Sequence, residues 1–210
     1  MIRIYVARHG ETTWNAEGKI QGRSDPGLSP KGYARSLALV EQVGRNPLTA
    51  IYTSTLRRSI STAQPIAQHL GLPIRSQSEL DEINFGVLEG KPFLDLDEKT
   101  KIEWKRFMEG RLTYRIPGAE NYIDVAKRLE PFVAKILQDH ENQEILIVGH
   151  RGTNRMLIGM LLKCPLTGCL NIAQTYECLY LIERNGEAKV FHYLNSEIKE
   201  GLLYERYEVA

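Results

Sequence analysis

Two short apolar runs, Ile2 to Ala7 and Ile145 to Val148, each stop two residues before a histidine, His9 in the first case and His150 in the second. Runs this short and this apolar read as strands buried on both faces, which is the condition of a parallel sheet covered by helices on either side. Helical patterns lie between the strand candidates. Ser29-Pro30 reads as an N-cap followed by proline at the first helical position, opening a helix to about Gly44. A second helix is expected from about Leu56 to Gly71, with Pro73 just beyond and with Pro65 kinking or breaking it by removing the backbone bond to Ser61. Further strands are expected at Ala50–Thr53 and Ile74–Ser76. An amphipathic helix should run from about Glu120 to His140 and another from about Thr153 to Leu162. Asn185-Gly186 should turn a hairpin between Tyr176–Glu183 and Ala188–Tyr193.

Alternation of this kind implies an α/β fold of three layers, α/β/α, with a mostly parallel central sheet and an antiparallel pair at one side. Ligands of such sheets bind beyond the carboxyl ends of the strands, where both histidines fall, so one site is expected to hold the two.

At 210 residues the chain suits one domain with an elaboration, for which 92–117 is the natural segment. A formal charge of +1 argues against a broad nucleic-acid or membrane-binding face. No run approaches the ~20 apolar residues that span a bilayer. Met1 leads straight into a strand pattern without the features of a signal peptide, so a cytoplasmic protein is expected. Cys164, Cys169 and Cys178 match no zinc spacing and read as reduced, mostly buried thiols.

The loop from Glu11 to Leu28 is long for a passive connection, a mark of function. Ser54-Thr55-Leu56-Arg57-Arg58 places paired arginines at a strand-to-helix junction, where helix N–H groups already favour anions. Asp81-Glu82 puts carboxylates ahead of the glycine-punctuated loop Phe85-Gly86-Val87-Leu88-Glu89-Gly90. Taken singly, each is a solvated helix start, an acidic turn or a packed histidine.

Together, and in this order, Arg8-His9-Gly10-Glu11-Thr12, Trp14-Asn15, Gln21-Gly22, Leu28-Ser29, Ser54-x-Leu56-x-Arg58, Glu82, Pro117-Gly118-Ala119-Glu120 and Gly149-His150 resemble the histidine phosphatase superfamily, the phosphoglycerate mutase-like enzymes, over essentially the whole chain. The resemblance implies the phosphoglycerate mutase-like fold, with 92–117 as a helical insertion covering the active site. It implies His9 as a nucleophile that becomes phosphohistidine, with Arg8, Arg58 and His150 around the phosphate and Glu82 as proton donor to the leaving oxygen. It also implies that Asn15, Gln21 and Gly22 contact phosphate or substrate. Of the two arginines, the Ser-x-Leu-x-Arg spacing selects Arg58 over Arg57.

The residue types suit the chemistry. Arginine forks bind phosphate oxygens bidentately and stay charged. The same cations should hold the His9 ring neutral enough to attack. An exposed glutamate ionises near ~4.3, so Glu82 needs the like charge of a phosphate dianion to carry a proton.

Three positions depart from the usual pattern: Thr55, where proline is usual, Arg151, where a small residue commonly follows the histidine, and Pro65 within the second helix. Arg151 either adds positive charge over the pocket or, as is expected here, faces solvent or acts at second remove. The stretch Tyr114-Arg115-Ile116-Pro117 looks like the phosphatase branch rather than the mutases, which carry a longer basic insertion there. The expected activity is therefore that of a histidine acid phosphatase-type phosphoric monoester hydrolase acting on a small phosphorylated metabolite. A cofactor-dependent phosphoglycerate mutase and an inert phosphate-binding relative are the alternatives. No cofactor and no metal are expected, because paired-ligand motifs such as His-x-Glu-x-His are missing. Monomer and homodimer both stay open. Specificity is expected from 92–117, where Trp104, Phe107, Arg111, Tyr114 and Arg115 could cap the pocket or, for the aromatic pair, simply close a hydrophobic cluster.

Overall fold

Ile2–Arg8 and Glu144–Gly149 lie side by side as parallel strands β1 and β4, in register from Arg3 opposite Glu144 to Arg8 opposite Gly149. The computed structural model describes residues 1–194 and 197–205. Beside β4 come β2 (Leu48–Thr53) and then β3 (Ile74–Ser76), both parallel to it. Beside β1 runs the antiparallel meander β5 (Leu179–Asn185), β6 (Glu187–Leu194) and β7 (Glu197–Glu200). Among the described residues, these seven strands form one sheet in the order β3-β2-β4-β1-β5-β6-β7.

Side chains alternate across the sheet and so divide the core in two. Ile4, Val6, Ile145 and Ile147 face one way, onto α5 (Tyr122–Asp139) and α6 (Arg151–Leu161). Tyr5, Ala7, Leu146 and Val148 face the other, onto α2 (Pro30–Val43) and α3 (Arg57–Leu70). The three expected layers result.

Local signals set most helix ends. The Ser29 hydroxyl accepts from Gly32 N at the start of α2, and Gly71 ends α3 in the left-handed conformation, φ 66°. Asn121 and Asp124 form a capping box at the start of α5. Between α3 and α5 the segment 92–117 contains α4 (Glu98–Glu109).

The structure differs from the sequence reading at several points. Helix α3 runs through Pro65 without a break. Proline forfeits one hydrogen bond there, but Ser61, which loses its donor, is exposed to water, and Ala63, Ile66 and Ala67 stay anchored in the core. Helix α6 begins at Arg151, directly after His150, rather than near Thr153. The strand expected from Tyr176 starts at Leu179. The loop after His9 holds a single turn, α1 (Thr13–Ala16), capped by Thr12. Strand β7, with sequence Glu-Ile-Lys-Glu and every residue exposed, carries no apolar alternation to announce it. Its charges suit a sheet edge. Among the described residues no helix is long and apolar enough to cross a membrane.

Candidate active site

The carboxyl ends of β1 and β4 are tied together by the N–H of His9, which donates to the carbonyl of Gly149 at 2.9 Å. The next N–H, of Gly10, donates to the Thr62 hydroxyl at 2.9 Å. Gly10 has no alternative here, because a Cβ would stand 2.3 Å from the carbonyl oxygen of Gly32. His9 is 3% exposed. Its Nδ1 lies 2.7 Å from the carbonyl oxygen of Gly10, and a carbonyl can only accept, so Nδ1 carries the ring proton. Nε2 keeps its lone pair. Burial first, then the charges of Arg8 and Arg58, push the His9 imidazole well below its ordinary range, so the ring is neutral.

Two arginines flank it. Arg8 donates from Nη1 to the carbonyl of Gln174 at 3.0 Å and from Nη2 to the Tyr176 hydroxyl at 3.2 Å, with its guanidinium 4.1 Å from the centre of the Tyr176 ring. Arg58, 1% exposed, donates from Nη1 to the carbonyl of Ser24 at 2.6 Å and from Nη2 to that of Gly22 at 2.7 Å. Both Nε atoms are buried without a hydrogen-bond partner among the described residues. Arg57 turns outward, its side chain 77% exposed, onto Asp25. Of the two arginines at the junction, Arg58 is the one that lines the cavity described below.

Glu82 reaches the amino end of α6. One carboxylate oxygen accepts the N–H groups of Ile83 and Thr153, and the other accepts that of Gly152. A side chain at Gly152 would put a Cβ 2.7 Å from that carboxylate. Its neighbour Asp81 points elsewhere, taking the N–H and hydroxyl of Thr55 at 2.9 and 2.8 Å. That bond pair gives threonine a purpose where the family pattern has proline. His150 is fully buried, with its ring centre 5.0 Å from that of His9 and Nε2 2.7 Å from the Ser54 hydroxyl.

These groups surround or back a cavity of about 200 Å³. Arg8, His9, Arg58 and Glu82 line it, as do Asn15, Gln21 and Gly22 from the long loop. His150 packs against His9 and does not itself line the space. Asn15 gives its carbonyl oxygen to Thr12, which leaves its amide nitrogen for a ligand. The opposite wall is apolar and aromatic, with Phe85, Trp104 and Phe107 packed at ring separations of 5.6–5.9 Å. Trp104 and Phe107 therefore do both things expected of them, since they also join the core cluster. Tyr114 and Arg115 are not in the wall; Tyr114 donates to Glu103 and Arg115 pairs with Asp124.

Arg151 does both of the things weighed for it, because its side chain lines the cavity and pairs with Glu205 while staying 42% exposed. Starting α6 at Arg151 places its side chain at the rim of the cavity. Arg155 also lines the cavity and was missed; it sits one turn further along α6, a spacing of four that could have flagged it. Both arginines meet the same Glu205 oxygen, Arg155 at 2.7 Å, while the other oxygen accepts the N–H of Gln174 at 2.8 Å. Burial alone would raise the Glu205 carboxyl, but Gln174 and the two arginines outweigh it and hold it below the usual range. Lys19 and Arg111 also line the cavity. Among the described residues no group of three or more His, Cys, Asp or Glu side chains is placed to share a metal ion.

The sequence profile of the histidine phosphatase superfamily (branch 1) matches residues 4–197. The probable phosphoglycerate mutase GpmB of Salmonella choleraesuis is 34% identical over 165 residues, 79% of this chain and 77% of that protein. Among solved structures, Bacillus stearothermophilus YhfR superposes with a TM-score of 0.84 at 29% identity, covering 95% of this chain and 98% of that one. A mycobacterial glucosyl-3-phosphoglycerate phosphatase with inorganic phosphate gives 0.76 at 25% identity, covering 95% and 94%. The alpha-ribazole phosphatase of Shigella flexneri gives 0.80 at 23%, covering 97% and 96%, a likeness of fold.

Proposed function

The chain belongs to the histidine phosphatase superfamily, and from that premise we propose that it is a metal-independent phosphomonoesterase working through a phosphohistidine at His9. The observation that carries this reading is the state of His9: neutral, protonated on Nδ1 by its bond to Gly10, with an unprotonated Nε2 near the buried Arg58 and the half-buried Arg8.

In this reading Nε2 attacks phosphorus and the bond to the ester oxygen breaks, while Glu82 passes a proton to that oxygen. Arg8 and Arg58 stabilise the phosphoryl oxygens as charge shifts among them. Asn15, Gln21 and Gly22 hold the group in line. Water then attacks the phosphohistidine, Glu82 takes its proton, and the P–N bond breaks to give inorganic phosphate and the starting imidazole. Two sides of the cavity differ, cationic around His9 and aromatic at Phe85, Trp104 and Phe107, which suits a phosphate ester with a partly apolar organic group.

A second reading follows from the name of the 34% identical relatives, a phosphoglycerate mutase, in which a bound phosphoglycerate rather than water receives the phosphoryl group. The aromatic wall favours an apolar organic group and hence water as acceptor, whereas Lys19, Arg111, Arg151 and Arg155, which also line the cavity, are the cations a second phosphate would use. One experiment separates the outcomes. The purified protein is assayed for inorganic phosphate over a panel of metabolite esters, with a phosphoglycerate mutase assay alongside. Phosphate release that His9→Ala abolishes, with acid-labile and base-stable phosphate trapped on His9 after a quench, supports the phosphatase. Retained turnover in His9→Ala removes the nucleophile, and isomerisation without net phosphate release makes the chain a mutase.

A further inference from the structure

We infer that Ser54 is a positioning residue whose hydroxyl donates to His150 Nε2 and thereby fixes that imidazole with its proton on Nδ1. Ser54 is fully buried, and its hydroxyl has two neighbours: the N–H of Leu56, which can only donate to it at 3.2 Å, and His150 Nε2 at 2.7 Å. Its single proton has no other acceptor among the described residues. A buried hydroxyl proton is rarely left unbonded, so it goes to Nε2, which must then be the acceptor nitrogen.

Counting unsatisfied groups decides between the two ring forms. With the proton on Nδ1, Ser54 is satisfied and the buried Nδ1, which has no partner among the described residues, is the one orphan. With the proton on Nε2, both the Ser54 hydroxyl and Nδ1 are orphaned. Ser54 is itself held to β4: its N–H donates to the Ser59 hydroxyl, which donates to the carbonyl of Val148, two residues before His150. The strand that presents the imidazole therefore also locates the group that sets its tautomer. Burial, with Arg58 next in effect, keeps the His150 ring neutral, so there is one proton to place.

The consequence for chemistry rests on the proposed phosphoryl transfer. This Nδ1–H has no acceptor among the described residues and lies behind the cavity wall beside His9, so it can donate to the oxygens of a phosphoryl group only when that group is carried on His9. That interaction would strengthen as charge builds in the transition state.

The test has a spectroscopic arm that needs no substrate. Long-range proton–nitrogen correlation spectra of ¹⁵N-histidine-labelled protein, assigned with His150→Gln, should show His150 as the Nδ1–H form. Ser54→Ala should move it toward the Nε2–H form, and Ser54→Thr, which keeps the hydroxyl, should not. On an alkyl phosphate, Ser54→Ala should lower kcat about 10-fold or more, short of the ~10²–10³ lost with a full oxyanion donor, and leave KM within about threefold. An Nε2–H ring in the wild type overturns the inference, and so does a Ser54→Ala protein with unchanged tautomer and kcat. Should Ser54→Ala fail to fold, the wild-type spectrum and Ser54→Thr decide. An Nδ1–H ring in a protein that hydrolyses no ester would sink the phosphatase reading and leave the role of Ser54 standing.

Discussion

Replacing Glu89 by glutamine keeps the length of the side chain and changes one thing, its ability to accept on both oxygens. In the wild type, Oε1 takes the N–H groups of Arg23 and Phe85 at 2.9 and 3.0 Å, and Oε2 takes the N–H and hydroxyl of Ser24, both at 2.8 Å. This carboxylate joins the loop carrying Gln21 and Gly22 to the loop carrying Phe85. It also sets the carbonyls of Gly22 and Ser24, the two that hold Arg58. A glutamine would best turn its NH₂ toward Ser24, whose hydroxyl can reverse and accept, but whose N–H then faces another donor. One opposed backbone N–H costs about 1–3 kcal/mol, and the remaining bonds lose their charge assistance. Glu89 is only partly buried, so solvent trims the loss to about 2 kcal/mol. For a chain of this size that is a fall in Tm of about 4–8 °C. Loosening the two carbonyls should also cost about 10-fold in kcat/KM, because Arg58 no longer meets the phosphoryl group in one geometry. Circular dichroism melts and para-nitrophenyl phosphate hydrolysis measure the two effects. A lowered Tm with unchanged kcat/KM would show that the loop does not position Arg58, and no change in either would refute the whole chain of reasoning.

For Glu82→Gln, the loss of turnover should be much larger with alkyl phosphates than with aryl ones, whose leaving groups need no proton; equal losses would remove Glu82 as the acid. The two buried histidines make stability depend on pH. Both rings are held below the ordinary value of 6.5, His9 and His150 first by burial, so the unfolded chain takes up their protons before the folded one does. Their contribution is whole above about pH 6.5 and is lost as pH falls from there toward the folded values, at up to ~1.4 kcal/mol per pH unit for each ring. Tm should therefore drop between pH 7 and 5, and less steeply in His9→Asn; parallel slopes would show that His9 protonates as readily folded as unfolded. Glu205→Gln weakens the contacts to Arg151, Arg155 and Gln174 and should cost about 1–3 kcal/mol in urea denaturation with the m-value unchanged. A shift below about 0.5 kcal/mol would mean that solvent already carries those arginines.

Much of this site could be read from the chain because its parts sit at strand ends and helix starts, which leave local marks. The apolar runs before His9 and His150, the serine cap at Ser29 and the Ser-x-Leu-x-Arg spacing each specify a position within a residue or two. What escaped is held by contacts distant in sequence. Nothing near Arg151 or Arg155 announces Glu205, and nothing near Arg8 announces Gln174 and Tyr176. Glu89 belonged to a legible loop motif, yet its role depends on where the loop at 22–24 comes to rest. Pro65 failed as a breaker because the helix around it is fixed by the core rather than by its own hydrogen bonds.

The bond from His9 N–H to the Gly149 carbonyl has a bearing on how the molecule assembles. It joins the ends of two central strands that are far apart along the polypeptide, so the histidine pair exists only after that long loop closure is complete. No early hairpin or helix pair can hold a half-formed version of it. Turnover should therefore return in step with the refolding phase that pairs these two strands, and the His9 amide should exchange with solvent only through global opening. The catalytic assay would then double as a gauge of native chain, counting molecules that have closed the sheet and ignoring any that have merely collapsed.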